Sequence, residues 1–367
     1  MRTTQDRGNP ANAQITNARL DSKEVTAAQQ NALALNQALA CLDDNSKLIS
    51  HLKGDVPPRF SHTASIDTCY TIDTFTINNL IMLFHLSYLT ALKLQGAEAA
   101  NFLQGQLTAD IRQVTETHYQ PAALCNLQGR ITSLMEVFQW RDALYLILPE
   151  TLAEKVTRVL AKPAQFSRVQ LSQEKELCLM GYWHEEEQTL PFPCPNLPYT
   201  CLATEDYVIG CIQPPFYLLL MTRSFAATLS ANENTEAWHE AKLRRGEIEI
   251  YPNTSEQFLP HRLNLQETPY LSFNKGCYRG QEIIARTHYR ATLKHHLVQY
   301  QVDSKEPLTP GMQIEDTDGQ SLGELVDCCK IDENQYLISA SLLLEHPNLV
   351  RFGSHQDTVM LQSLGLY

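Results

Sequence analysis

The chain has 367 residues and a formal net charge of −12, with 43% hydrophobic and 19% charged side chains. Those figures fit a globular protein of two or three domains, and the acidic balance argues against nonspecific nucleic-acid binding over the whole surface. No run approaches the roughly 18–20 consecutive apolar residues of a membrane span, and no apolar signal segment opens the sequence, so the expected location is the cytoplasm.

Residues 1–60 carry no aromatic side chain before Phe60, and their seven basic and six acidic groups nearly cancel. Such a segment cannot bury enough apolar surface to offset its ordering entropy, so a disordered or weakly helical tail is expected. Leu86 to Leu94 then alternates as a strand, and Gly96 opens a helix carrying Ala97, Phe102, Leu103 and Leu107. Strands at Ala122–Asn126 and Ile131–Trp140 join through a Gln128-Gly129 turn. Ala143–Leu148 adds another strand, and Pro149 starts a helix with Leu152, Val156 and Leu160 on one stripe. Val169 and Leu171 sit in a further strand. This alternation predicts an α+β or α/β sandwich of split βαβ units with ferredoxin-like layers.

Prolines punctuate a strand-rich stretch from 175 to 220, and a helix from about Thr235 ends at Gly246. Short β-like runs at His296–Val302, Gly323–Cys328 and Gln335–Ser339 predict a small antiparallel β-barrel at the C-terminus. The expected organisation is a tail (1–60), an α+β region (61–290) and a barrel domain (291–367). Ten cysteines contain no C-x-x-C and no zinc-site spacing, so no metal site is expected.

Charge is unevenly spread. From Lys242 to Lys294 nine Lys or Arg face five Asp or Glu, a local +4 that leaves the rest of the chain near −16. Such a zone reads either as a solvated face or as a place for an anionic ligand or partner. Inside it lies the most informative segment, Asn274 to Arg290 (NKGCYRGQEIIARTHYR). Cys277 stands between Gly276 and Gly280 and between Lys275 and Arg279. Glycines allow tight turns and close ligand approach, and nearby cations favour a thiolate if the cysteine is exposed. Gln281 and Glu282 supply an amide and a carboxylate suited to the edge of a flat heterocycle. The competing reading is a glycine-rich turn around a buried, inert cysteine.

The run Lys275-Gly276-Cys277-Tyr278-Arg279-Gly280-Gln281-Glu282 resembles the K-G-C-x-x-G-Q-E signature of the YgfZ family. Three other segments agree in order and spacing: FLQGQLTADI from Phe102, LCNLQGRI from Leu124, and RGEIEIYPNTSEQFLPHRLNL from Arg245. The resemblance spans roughly residues 75 to 345. It implies the fold shared with the glycine-cleavage T-protein, an aminomethyltransferase, and a central cavity that binds tetrahydrofolate or another reduced folate with the signature loop on its wall.

By that resemblance, Trp238 falls where the family has a folate-contacting aromatic, its alternative being plain core packing. A second family aromatic falls at Leu89, with Tyr88 beside it to replace the ring. Lys275, Tyr278, Gln281 and Glu282 complete the implied folate contacts, and Cys277 is the functional thiol. Near the T-protein's amine-handling aspartate this chain has Thr132, Ser133 and Leu134, with no carboxylate until Glu136; a hydroxyl cannot serve as the same base. Pro260-His261-Arg262 also departs from the family pattern.

The function this resemblance implies is that of an accessory protein, rather than a conventional enzyme, that supports iron–sulfur cluster assembly or repair. Its implied partners are iron–sulfur proteins such as the radical enzymes that methylthiolate tRNA. One alternative is a tetrahydrofolate-dependent aminomethyltransferase or demethylase using Glu136 or Glu282. Another is direct tRNA binding through Arg279, Arg286 and Arg290.

Overall fold

A computed structural model describes residues 82–183, 192–355 and 357–364; the tail expected at 1–60 lies outside them. In chain order the first elements are β1 (Met82–His85), β2 (Leu89–Gln95), α1 (Ala99–Gln104), β3 (Gln120–Cys125), β4 (Ile131–Trp140), β5 (Ala143–Pro149) and α2 (Glu150–Phe166). There follow β6 (Gln170–Glu174), β7 (Leu177–Trp183), β8 (Cys201–Ala203), β9 (Tyr207–Gln213), β10 (Phe216–Thr222), α3 (Arg223–Ala226), α4 (Glu236–Arg244) and α5 (Gln281–Arg290). The C-terminal strands are β11 (His295–Asp303), β12 (Gln313–Glu315), β13 (Ser321–Lys330), β14 (Gln335–Leu343), β15 (Leu349–Phe352), β16 (Val359–Met360) and β17 (Gln362–Ser363).

These strands make two five-stranded sheets, ordered β3-β4-β5-β2-β6 and β1-β7-β10-β9-β8, and a seven-stranded sheet ordered β16-β15-β12-β13-β14-β11-β17. The fold is α+β, and the last sheet is the expected antiparallel, barrel-like unit around Val302, Leu325, Ile338 and Phe352. No helix among the described residues is long and apolar enough to cross a membrane.

Strand β4 explains how the layers are held. Side chains alternate faces along a strand, so Ile131, Met135 and Val137 enter the core that also takes Leu152, Val156 and Leu160 of α2. Phe138 and Trp140 enter a second core with Phe84, Tyr145, Leu218 and Trp238. By period, Glu136 shares the face of Phe138 and Trp140, which brings a carboxylate into an apolar layer. That placement sets up the site.

Candidate functional site

Helix α4 delivers two side chains to one cavity. Trp238 and Lys242 are four residues apart, hence on one helix face, and both line an inner pouch of about 540 Å³ with Tyr88, Leu89, Glu136 and Tyr270. Gly246, at φ 82, follows the helix end as the expected left-handed residue. The chain beyond it adds Glu247, Ile248 and Glu249 to the lining. A larger cleft of about 1690 Å³, counting the open space at its mouth, shares Leu134, Glu136, Glu247 and Tyr270 and adds Arg245 and Gln299.

The polar groups of this cavity are unevenly satisfied. Lys242 donates to Glu249; burial opposes the lysine's charge, but Glu249, Tyr88 and Glu247 together outweigh it and the pKa is raised. The Tyr270 hydroxyl donates to Glu136 Oε1 at 2.6 Å, while Glu136 Oε2 is buried and has no partner. Burial, opposed by the Tyr270 bond and reinforced by Glu247, pushes the Glu136 carboxyl up to about 7. Arg245 lies 3.8 Å over the Phe216 ring and donates Nε to Glu247 at 2.7 Å. Its Nη1 and Nη2 are buried and unpartnered.

Trp238 is 1% exposed and stacks on Trp183 at 6.0 Å between ring centroids. Much of its face is thus spent on packing. The close approach depends on Gly181, where a Cβ would stand 2.7 Å from the indole ring. Gly181→Ala is therefore expected to cost about 1–3 kcal/mol by overpacking. Urea denaturation should show that cost shrinking in a Trp238→Leu background, a coupling that a remote effect would lack.

The signature forms a separate place. The Lys275 ammonium donates to Leu107 O at 2.7 Å and Ala109 O at 2.5 Å, and burial pulls its pKa down to about 8. It also lies 5.1 Å over the buried Tyr278 ring. This anchor seats the loop on the end of α1 and the β3–β4 turn, where Arg279 N donates to Gly105 O at 3.2 Å. Cys277 is exposed and lines a shallow groove with Leu127, Pro163, Tyr278, Gln281 and Glu282.

The structure thus brings Trp238, Tyr88 and Leu89 together at the cavity, and Cys277, Tyr278, Gln281 and Glu282 together at the groove. None of the signature residues lines the cavity. Of the departures, His261 is buried against Phe273 and His288, and burial and His288 pull its pKa down to about 4. Arg262 bonds Glu324 and Ser341 of the barrel, so neither residue is part of the cavity wall. Thr132 and Ser133 turn their hydroxyls to Glu256 and to the Leu134 carbonyl, and the cavity begins at Leu134. Arg245 and Tyr270 escaped the sequence reading. Glu136 entered the sequence reading only as the first carboxylate past the position of the T-protein's aspartate, and as a candidate acid or base, not as a wall residue.

Comparison with known proteins places the chain. It aligns with the tRNA-modifying protein YgfZ of Colwellia psychrerythraea at 25% identity over 293 residues, covering 76% of this chain and 90% of that protein. The chain is similar to the YgfZ proteins. The YgfZ of Sodalis glossinidius is 26% identical over 265 residues (68% of this chain, 81% of that protein). That of Buchnera aphidicola is 27% identical over 216 residues (55% and 68%). No family model matches the chain. Its fold is that of the glycine cleavage system aminomethyltransferase T from Bartonella henselae, with a TM-score of 0.61 over 78% of this chain and 87% of that one, at 13% identity.

Proposed function

We propose that this chain acts in tRNA modification as a cytoplasmic, folate-binding accessory protein that supports assembly or repair of iron–sulfur clusters. The likeness to YgfZ tRNA-modifying proteins along most of the chain supports the tRNA link. The observation that carries the folate reading is the cavity of an aminomethyltransferase-like fold, lined by apolar side chains such as Leu86, Leu134 and Trp238 among charged ones and holding an unpartnered Glu136 oxygen and an unpartnered Arg245 fork. Trp238, Tyr88 and Leu89 would give the apolar surface for a pterin ring, and Glu136 and Arg245 polar contacts elsewhere along the folate. A reduced folate would supply one-carbon carrying capacity; this chain's residues would bind it and exclude water.

An accessory role fits the strand position where Thr132 and Ser133 stand in place of a carboxylate, their hydroxyls bonded to Glu256 and the Leu134 carbonyl and neither lining the cavity. Cys277 would meet a cluster protein at the exposed groove. One thiol cannot hold a cluster that takes four cysteine ligands, so the partner or small thiols would supply the rest.

The test is mass spectrometry of tRNA nucleosides from cells lacking this protein, complemented with wild type or Cys277→Ser. The methylthiolated nucleoside should fall and return only with wild type. An unchanged nucleoside in the deletion strain removes the tRNA link. A second reading, a folate-dependent transferase, is favoured by one feature: a Glu136 carboxyl held near 7 is suited to general acid–base work. Product formed from tetrahydrofolate and a methylamine donor, and lost in Glu136→Gln, would establish it.

A further inference from the structure

Two residues that line the same cleft, Glu136 and Arg245, carry buried polar atoms with hydrogen-bonding capacity unused. Glu136 Oε2 has no donor, and Arg245 Nη1 and Nη2 have no acceptor, although the Arg245 side chain is only 11% exposed. Leaving such atoms unpaired is costly, and in native proteins an orphaned polar atom at a cavity wall calls for a partner. Each orphan is also held in place. Tyr270 fixes Glu136 through Oε1, and Thr108 fixes Tyr270 by donating to its carbonyl at 2.5 Å. Phe216 and Glu247 hold the Arg245 guanidinium by its face and its Nε, which leaves the two-donor Nη edge free.

We infer that Glu136 and Arg245 are the two polar ends of one ligand site in this cleft, Glu136 taking an N–H edge of a heterocycle and Arg245 a carboxylate of the same molecule. The inference rests on the folate reading, and it assigns the pterin to the Glu136 end and the glutamyl tail to the Arg245 end. The chemistry of each group sets its partner. Oε1 already accepts a bond, so Oε2 is the oxygen left for a ligand donor, and a free Nη edge matches a carboxylate with two parallel bonds. Reversing the ligand would set a carboxylate against Glu136 and leave the arginine fork without an anionic partner.

The site carries a pH signature. The titratable and charged groups facing Glu136 are Tyr270, Glu247, Lys242 and Glu249, with Tyr119 and Tyr199. Glu136 holds its proton up to about 7, whereas a ligand N–H stabilises the ionised carboxylate. Binding should release that proton to solvent and weaken as pH falls below 7.

The experiment is anaerobic calorimetry of the full chain with two probes: tetrahydrofolate, and 6-methyltetrahydropterin, which has the ring without the carboxylate tail. Arg245→Met should weaken tetrahydrofolate by about tenfold or more and the bare pterin by less than twofold. Glu136→Gln should weaken both probes by a similar factor and flatten the pH profile between 6 and 8. If Arg245→Met or Glu136→Gln unfolds, Arg245→Lys, which keeps the charge but loses the fork, should still cost the tailed probe alone. Tyr270→Phe, which removes the bond that lowers the carboxyl's pKa, should move the pH midpoint of binding upward. Equal loss of both probes in the Arg245 variants, or an unmoved pH profile in the Glu136 and Tyr270 variants, overturns this inference while leaving folate binding intact. A wild-type chain that takes neither probe overturns the folate reading and this inference with it.

Discussion

Replacing Asp327 by asparagine is expected to destabilise the protein by about 3–5 kcal/mol, the cost of breaking a buried charged network at one member. Asp327, on β13, is fully buried and accepts four bonds. Oδ1 takes the Tyr251 hydroxyl at 2.7 Å, His239 Nε2 at 3.0 Å and Cys328 N at 2.8 Å, and Oδ2 takes Glu249 N at 2.7 Å. Asparagine has the same shape, but its amide nitrogen would meet a donor at either position. The network ties α4 to the barrel through His239, and α4 carries Trp238 and Lys242 into the cavity. Asp327→Asn should therefore lower the urea midpoint and weaken any cavity ligand together. A variant that loses ligand with its midpoint unchanged would contradict this coupling.

The same network sets a pH dependence. Burial is the largest single influence on His239 and works against its charge, but Asp327 and Cys329 together outweigh it and raise the imidazole from 6.5 to about 10. A raised basic group contributes in full below its unfolded value and loses that contribution as pH climbs through its folded value. Lys275 runs the other way. Its pKa falls from 10.5 to about 8, so its penalty stands in full below 8 and is relieved as pH rises from 8 to 10.5. Buried thiols such as Cys125 and Cys201, raised to about 12, add a further fall above pH 9 that the variants share. The stability difference between wild type and His239→Gln should therefore shrink from pH 7 to 10, and the Lys275 penalty relative to Lys275→Met should fade only between 8 and 10.5. Denaturant melts at stepped pH read both slopes.

The fold was legible because its information is local. The Leu152–Val156–Leu160 stripe, the Gln128-Gly129 turn and the Gly246 stop each depend on near neighbours in sequence, and the elements lie within a few residues of where these cues put them. Helix α5 was the main element missed. Its residues read as ligand groups of the signature, and its start depends on Gly280, which has φ 80, rather than on a capping side chain. The site was legible only in part, for a physical reason. Trp238 and Tyr88 meet at the cavity, but Tyr270 reaches Glu136 across 134 positions, a distance no periodicity spans. The separation of signature and cavity has the same origin, because Lys275 is drawn to carbonyls more than 160 residues away.

The two glycines of the signature should respond in opposite ways to alanine. At Gly280 the backbone has φ 80, and a Cβ would stand 2.5 Å from the Asn126 carbonyl oxygen. That oxygen already holds Gly129 N at 3.0 Å, so it cannot retreat without opening the β3–β4 turn. Left-handed strain of about 1–2 kcal/mol and overpacking of about 1–3 kcal/mol together make Gly280→Ala a loss of roughly 2–5 kcal/mol. Gly276 has nothing within 4 Å of its Cβ position, and Gly276→Ala should melt within about 0.5 kcal/mol of wild type. Matching losses in the two variants would mean that the docked loop described here is wrong. The contrast also separates two uses of glycine in one motif. Gly280 lets the signature seat on the hairpin, while the space at Gly276 lies open beside an exposed thiol. A Gly276→Ala protein that folds like wild type but fails to restore the modified nucleoside has lost approach to Cys277 rather than its fold.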